Sequence, residues 1–180
     1  MKLTVPDGGF GKTGDCHGRR FTNLSAMRLF RFAFLLLCFA PGAMWAQREK
    51  LPPPDLAEVK DRWPDAERTS TGLYSEVLQS GTGQVHPEPG DEVAVTYRGS
   101  LLNGKVFDEN TDPSKPFRFR LGRGRVIDGW EYGIPLMVVG EKRRFIIPFE
   151  LGYGTRGRSP DIPRRATLIF EVELVEIKHD

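Results

Sequence analysis

From Leu73 onward, apolar residues keep returning at every second position. Leu73 to Leu78 is a short strand pattern, stopped by Ser80-Gly81-Thr82-Gly83. Val93, Val95 and Tyr97 alternate with other residues up to Gly99; Phe117, Phe119 and Leu121 alternate with Arg118 and Arg120. Phe145 and Ile147 follow a basic triplet, and Leu168, Phe170, Val172 and Leu174 alternate with Ile169, Glu171, Glu173 and Val175. Period-two patterning with a polar partner face predicts antiparallel strands, each with one buried side. Asn103-Gly104, between Leu102 and Val106, is a strong hairpin signal. One stretch departs from the rule. In Val126–Met137 the residues Ile127, Trp130 and Ile134 fall at helical spacing, with Asp128 placed to cap the start and Pro135 placed to end or kink the helix. The expected fold class is therefore α+β, with one short helix covering one face of a bent antiparallel sheet of five to six strands.

The N-terminal part follows different patterns. Arg28 and Arg31 precede an unbroken apolar run from Phe32 to Ala40; Pro41 and Gly42 break it, and Ala43 and Ala46 follow. This order of basic, apolar and small residues predicts a secretory signal peptide over residues 27–46. The run is shorter than the ~20 residues of a membrane span. The alternative is an uncleaved anchor. Cleavage after Ala46 would put Met44 at the third position back, and Leu37 before Cys38 argues against lipidation. Residues 1–26 are polar and without periodicity, and read as a non-structural extension upstream of a start at Met27. Residues 47–70 read as a charged linker. Pro52-Pro53-Pro54 opens it, Asp55 and Glu58 have capping-box spacing, and Leu56, Val59 and Trp63 allow a short helix that Pro64 ends. Residues 71–180 make the folded domain.

Composition narrows the function. The chain has 180 residues, 26 basic and 24 acidic, and a formal charge of +2. Residues 47–180 hold 20 basic against 22 acidic residues, a net of −2, which argues against a nucleic-acid binder. Both cysteines, Cys16 and Cys38, lie upstream of Gln47, and His86 and His179 are isolated, so neither a disulfide nor a metal site is expected in the domain. Ten arginines (118, 120, 123, 125, 143, 144, 156, 158, 164 and 165) read as solvated strand faces and loops, or, more sharply, as an electropositive rim for acidic clients.

Seven short stretches occur together in order: Val95-Thr-Tyr97-Arg-Gly99, Gly104-Lys-Val-Phe107-Asp108, Lys115-Pro-Phe117-Arg-Phe119, Val126-Ile127-Asp-Gly129-Trp130, Met137-Val-Val-Gly140-Glu-Lys-Arg, Tyr153-Gly154, and Ala166-Thr-Leu168-Ile-Phe170-Glu-Val-Glu-Leu. With these, residues 71–178 resemble the FKBP family of peptidyl-prolyl cis/trans isomerases. The resemblance implies a sheet wrapped on its helix with a pocket between them. It implies that Tyr97, Asp108, Ile127 and Tyr153 orient the substrate, through the Ile127 N–H, the Tyr153 hydroxyl and an Asp108 linked to Tyr97. Phe107, Phe117, Val126, Trp130, Ile162 and Phe170 would line the pocket with Trp130 as floor. On pattern alone the aromatic residues on strands read as core, and Phe119 and Phe145 stay core.

The implied activity is rotation of X-Pro bonds in exported, periplasmic or secreted polypeptides, with no cofactor and no metal. Proline-containing chains, and macrolide inhibitors, are the implied partners. Nucleic acid is not one, nor is a membrane once the signal is removed. A monomer is expected, because the segment before Thr71 is short for a dimerising helix. The alternative is a proline-peptide-binding or holdase module with little turnover. Family members often carry His where Arg158 stands and an apolar residue where Asp161 stands, so these two rim residues are expected to shift preference at the residue before proline toward polar or charged side chains.

Overall fold

The computed structural model describes residues 48–179, and the readings placed on residues 1–47 lie outside them. The elements are α1 (Pro53–Arg62), β1 (Glu67–Arg68), β2 (Tyr74–Gln79), β3 (Glu92–Leu101), β4 (Val106–Asn110), β5 (Phe117–Arg120), α2 (Asp128–Gly133), β6 (Lys142–Ile147) and β7 (Leu168–Lys178). All pairings are antiparallel, in the order β1-β2-β6-β7-β3-β4, and β5 shares with β4 the outer edge of β3. β3 is the spine. Along one edge it pairs with β7 from Glu92 to Leu101; along the other, Tyr97–Ser100 meets β4 and Glu92–Val95 meets β5. Register shifts within β3, at Ala94/Val95 against β7 and at Gly99/Ser100 against β4, bend the sheet there. The Asn103-Gly104 turn joins β3 to β4, with Gly104 at φ 86°.

The sheet has one more strand than the pattern predicts. The addition is β1, whose two residues lie in the stretch read as linker and pair with Tyr74 and Ser75. The helix is shorter than expected. α2 ends at Gly133 and passes into a 3₁₀ turn, Ile134–Leu136, with Pro135 in its first turn, where a missing N–H costs nothing. Asp128 is the first helical residue rather than the cap: Ile127 (φ −65°, ψ 151°) holds that place without a side-chain bond.

Because successive strand residues point to opposite faces, β6 and β7 send Phe145, Ile147, Leu168, Phe170 and Val172 to one side and Ile146 and Ile169 to the other. The first side, the front, packs with Leu73, Val93, Val95, Leu121 and Met137 around Trp130 of α2 and Ile134 of the 3₁₀ turn that follows it. The second, the back, is covered by Leu56 and Val59 of α1 and by Leu51 and Trp63, which flank it. Gly129 permits the α2 contact, since a Cβ there would fall 2.6 Å from the Ile147 side chain.

The charged stretch after Gln47 is therefore laid on the sheet. A ten-residue helix is marginal alone; this one is held by burial of Val59, 1% exposed, and by polar ties. The Thr167 hydroxyl donates to Asp55 Oδ2 at 2.6 Å, Tyr74 donates to Glu49 at 2.7 Å, and Arg62 donates to the Leu102 carbonyl. Asp55 is not the cap. Pro52 is, with Pro53 and Pro54 in the first turn. Several of the strand arginines are paired: Arg144 with Glu76 (2.6 Å) and Glu171 (2.9 Å), Arg118 with Glu176 (2.7 Å), and Arg143 with Glu141 (2.5 Å).

Candidate active site

The bent sheet and α2 leave between them a cleft of about 240 Å³, lined by Tyr97, Asp108, Phe117, Arg125, Val126, Ile127, Trp130, Tyr153, Arg158 and Phe170. Trp130 is 4% exposed and forms the floor. Its indole meets Tyr97 at 5.0 Å and Phe170 at 5.3 Å, both edge-on, with Phe119 and Phe117 at 5.8 and 6.3 Å. Phe117, 39% exposed, forms a lip and stacks on buried Phe119 at 5.6 Å. Edge-to-face rings hold one another in fixed orientations, so the apolar walls are set before anything enters. Gly99 makes room for them: a Cβ there would lie 2.7 Å from the Phe170 ring and 2.9 Å from that of Phe107.

Polar groups stand at the cleft's edge. The Tyr97 hydroxyl donates to Asp108 Oδ2 at 3.1 Å. Burial, then the Asp108 charge and this bond, push the Tyr97 phenol up to about 12, so it remains a donor at any physiological pH. The Ile127 carbonyl starts α2 by accepting from the N–H groups of Trp130 and Glu131. The Ile127 N–H donates to no group among the described residues. The Tyr153 ring carries the Arg158 guanidinium 5.9 Å above it. Trp130 Nε1 is buried and donates to no group in the described protein.

Three residues of the expected site stand outside the lining. Phe107 backs Phe170 edge-on at 5.5 Å. Ile162, 4% exposed, belongs to the core and exchanges two backbone bonds with Arg158, at 2.9 and 2.8 Å. Asp161 faces Lys105, 3.6 Å away. Arg125, read from the sequence only as one of ten arginines on solvated faces or an electropositive rim, lines the cleft beside Val126; Glu131, which the sequence did not single out, accepts the Gly122 and Gly124 N–H groups at 2.7 and 3.0 Å. Position next to Val126-Ile127 was the available signal for Arg125; nothing local marked Glu131. Among the described residues no cluster of three His, Cys, Asp or Glu side chains is placed to hold a metal, and no helix is long and apolar enough to cross a membrane.

An aromatic slot with the unpartnered Ile127 N–H beside it suits non-covalent work on a ligand carrying an apolar ring. The fold is of the α+β class, an antiparallel sheet wrapped on a short helix with a cleft between them. The comparisons then give the family. A family model described as FKBP-type peptidyl-prolyl cis-trans isomerase matches residues 83–175. The chain is 44% identical over 106 residues to a peptidyl-prolyl cis-trans isomerase of Schizosaccharomyces pombe, covering 59% of this chain and 95% of that one. It is 44% identical over 108 residues to FK506-binding protein 1A of Aspergillus fumigatus, covering 60% and 96%. A crystal structure of a peptidyl-prolyl cis-trans isomerase from Pseudomonas syringae superposes with a TM-score of 0.62 at 33% identity, covering 70% of this chain and 90% of that one. The chain belongs to the FKBP-type peptidyl-prolyl cis-trans isomerases.

Proposed function

We propose that the cleft accelerates rotation about X-Pro bonds in exported polypeptides by fitting the twisted amide better than either planar form. Rotation must cross about 18–20 kcal/mol, because the planar amide is resonance-stabilised. No bond breaks, so no nucleophile or cofactor is required. A twisted amide has less charge separation than a planar one, and an apolar slot therefore favours it relative to the ground state. Trp130, Phe117 and Phe170 supply that slot and hold the proline ring. The Ile127 N–H and the Tyr153 hydroxyl donate to substrate carbonyls, while Tyr97 holds Asp108 beside the amide. An acceleration of ~10⁴–10⁶ asks for about 5–8 kcal/mol of selective stabilisation, within the reach of ring packing plus two or three hydrogen bonds.

One observation carries this reading: the aromatic floor and the unpartnered Ile127 N–H stand in the same cleft. Phe107 and Ile162 support the walls from behind. Proline-containing chains are the substrates, FK506-like macrolides compete for the cleft, and the protein works as a monomer without cofactor. Residues 27–46 direct it to the periplasm or outside the cell. The test is exchange NMR on a proline tetrapeptide with protein starting at Gln47. No acceleration over buffer defeats the reading, and a mature N-terminus upstream of Met27 defeats the start at Met27 and the cleavage after it.

A further inference from the structure

The cleft carries two cations that rotation of a neutral amide does not need. Arg125 and Arg158 both line it, from separate loops whose backbones are fixed. The Arg125 loop is held from α2 by Glu131, which takes the N–H groups of Gly122 and Gly124, two glycines at φ 72° and 60°. The Arg158 loop is closed by the paired Arg158–Ile162 backbone bonds. Arg125 also borders an adjoining concavity of about 720 Å³, with Phe117, Phe119, Arg118, Arg120 and Arg123.

The acidic groups nearby are largely engaged. Asp108, the carboxylate within the cleft, accepts from Tyr97. Asp161 faces Lys105, and Glu131 is occupied by two amides. Arg118 is held by Glu176 at 2.7 Å and Glu92 at 3.9 Å, so the adjoining concavity draws less on it. The lining itself therefore sets two guanidinium groups against one carboxylate.

We propose that Arg125 and Arg158 make this cleft select prolines with an acidic side chain next to them in the client chain. The apolar floor is indifferent to that neighbour's charge, so selection arises at the mouth, and it rests on the cleft being the substrate site. Both arginines are exposed, so the attraction is modest and screened by salt. A preference of about tenfold for Glu over Lys, equivalent to about 1.4 kcal/mol, is expected at low ionic strength.

The test uses the full chain and exchange NMR on two peptide series, Ala-Xaa-Pro-Phe and Ala-Ala-Pro-Xaa, with Xaa as Glu, Gln or Lys. At ionic strength of about 0.01 M, kcat/KM for Glu should exceed that for Lys about tenfold in at least one series, and by less than about threefold at 1 M. In an Arg125→Glu/Arg158→Glu double variant the ratio should invert; being a ratio within one protein, it is untouched by any overall loss of activity. A wild-type ratio under about threefold in both series, with the Gln peptides still accelerated, overturns the selectivity and leaves the isomerase reading intact. So does a ratio that survives in the double variant. Failure to accelerate even the Gln peptides removes both.

Discussion

The two faces of the sheet are built from alternate residues of the same strands, yet they handle polar groups in opposite ways. On the back, under α1, the buried or half-buried polar atoms find partners: Thr167 with Asp55, Tyr74 with Glu49, Arg144 with two carboxylates. On the front, around α2, Trp130 Nε1 and the Ile127 N–H have none among the described residues, and Phe117 lies 39% exposed. An unsatisfied buried donor and an open aromatic each cost stability. Under the proposed function these are the positions that a substrate would cover, which makes the back the supporting face and the front the working one.

The largest effect expected from separating the faces is on stability. Ile146→Ala empties a position of 0% exposure beneath α1 and should cost about 2–5 kcal/mol in urea denaturation. The turnover of the protein that remains folded should stay within about twofold, because Ile146 points away from the cleft. A parallel loss of activity per folded molecule would show that the back face tunes the front. Next in size is the converse change. Tyr153→Phe combined with Asp108→Ala should lower kcat/KM about 10–100-fold, or about 1.4–2.7 kcal/mol in the barrier, with a melting temperature close to that of the parent. Retained binding of a proline peptide alongside lost turnover would sharpen the assignment further; unchanged turnover would remove Tyr153 and Asp108 from the catalytic set.

A smaller change tests the seam between helix and sheet. Thr167→Val keeps shape and removes the hydroxyl that holds Asp55 at 2.6 Å. About 1 kcal/mol of stability should go, since Asp55 is only half-buried and water can take over part of the bond. An Asp55→Asn variant, which keeps an acceptor, should lose less. Equal losses in the two would mean that charge, rather than the hydrogen bond, ties α1 down.

The front face was more legible in the sequence than the back. Period-two alternation locates a strand's buried side whenever the other side is wet, as in Phe117–Arg120, where Phe119 is buried and the arginines are not. It fails where both sides are covered: Phe145, Ile146 and Ile147 are all at 0% exposure, and nothing in three successive apolar residues says that a second layer exists. The second layer, α1, is written in charged residues around Val59 and Trp63, so it resembles a linker until the sheet beneath it is known. The cleft walls were legible because Tyr97, Trp130 and Phe170 stand in motifs of distinctive order. The place of Arg125 in the cleft and the bonds of Glu131 were not, because they come from the shape of the loop between β5 and α2, which two positive-φ glycines set and no side-chain pattern announces.

Least of all should change between neutral and mildly alkaline pH, and the reason again compares the faces. Each carries one tyrosine paired with a carboxylate: Tyr97 with Asp108 in front, Tyr74 with Glu49 behind. In both, burial first and then the adjacent carboxylate push the phenol up to about 12, above the ordinary value of about 10. A raised phenol means that the fold prefers the protonated form. The resulting stabilisation is fully present below pH 10, where the unfolded tyrosine is also protonated, and is lost as pH rises from about 10 through 12. Urea midpoints should therefore be level from pH 7 to 9 and fall beyond 10. Tyr97→Phe and Tyr74→Phe should each remove part of that fall, while only Tyr97→Phe alters turnover at neutral pH by releasing Asp108. If Tyr74→Phe changed turnover as much, the division between a working face and a supporting one would not hold.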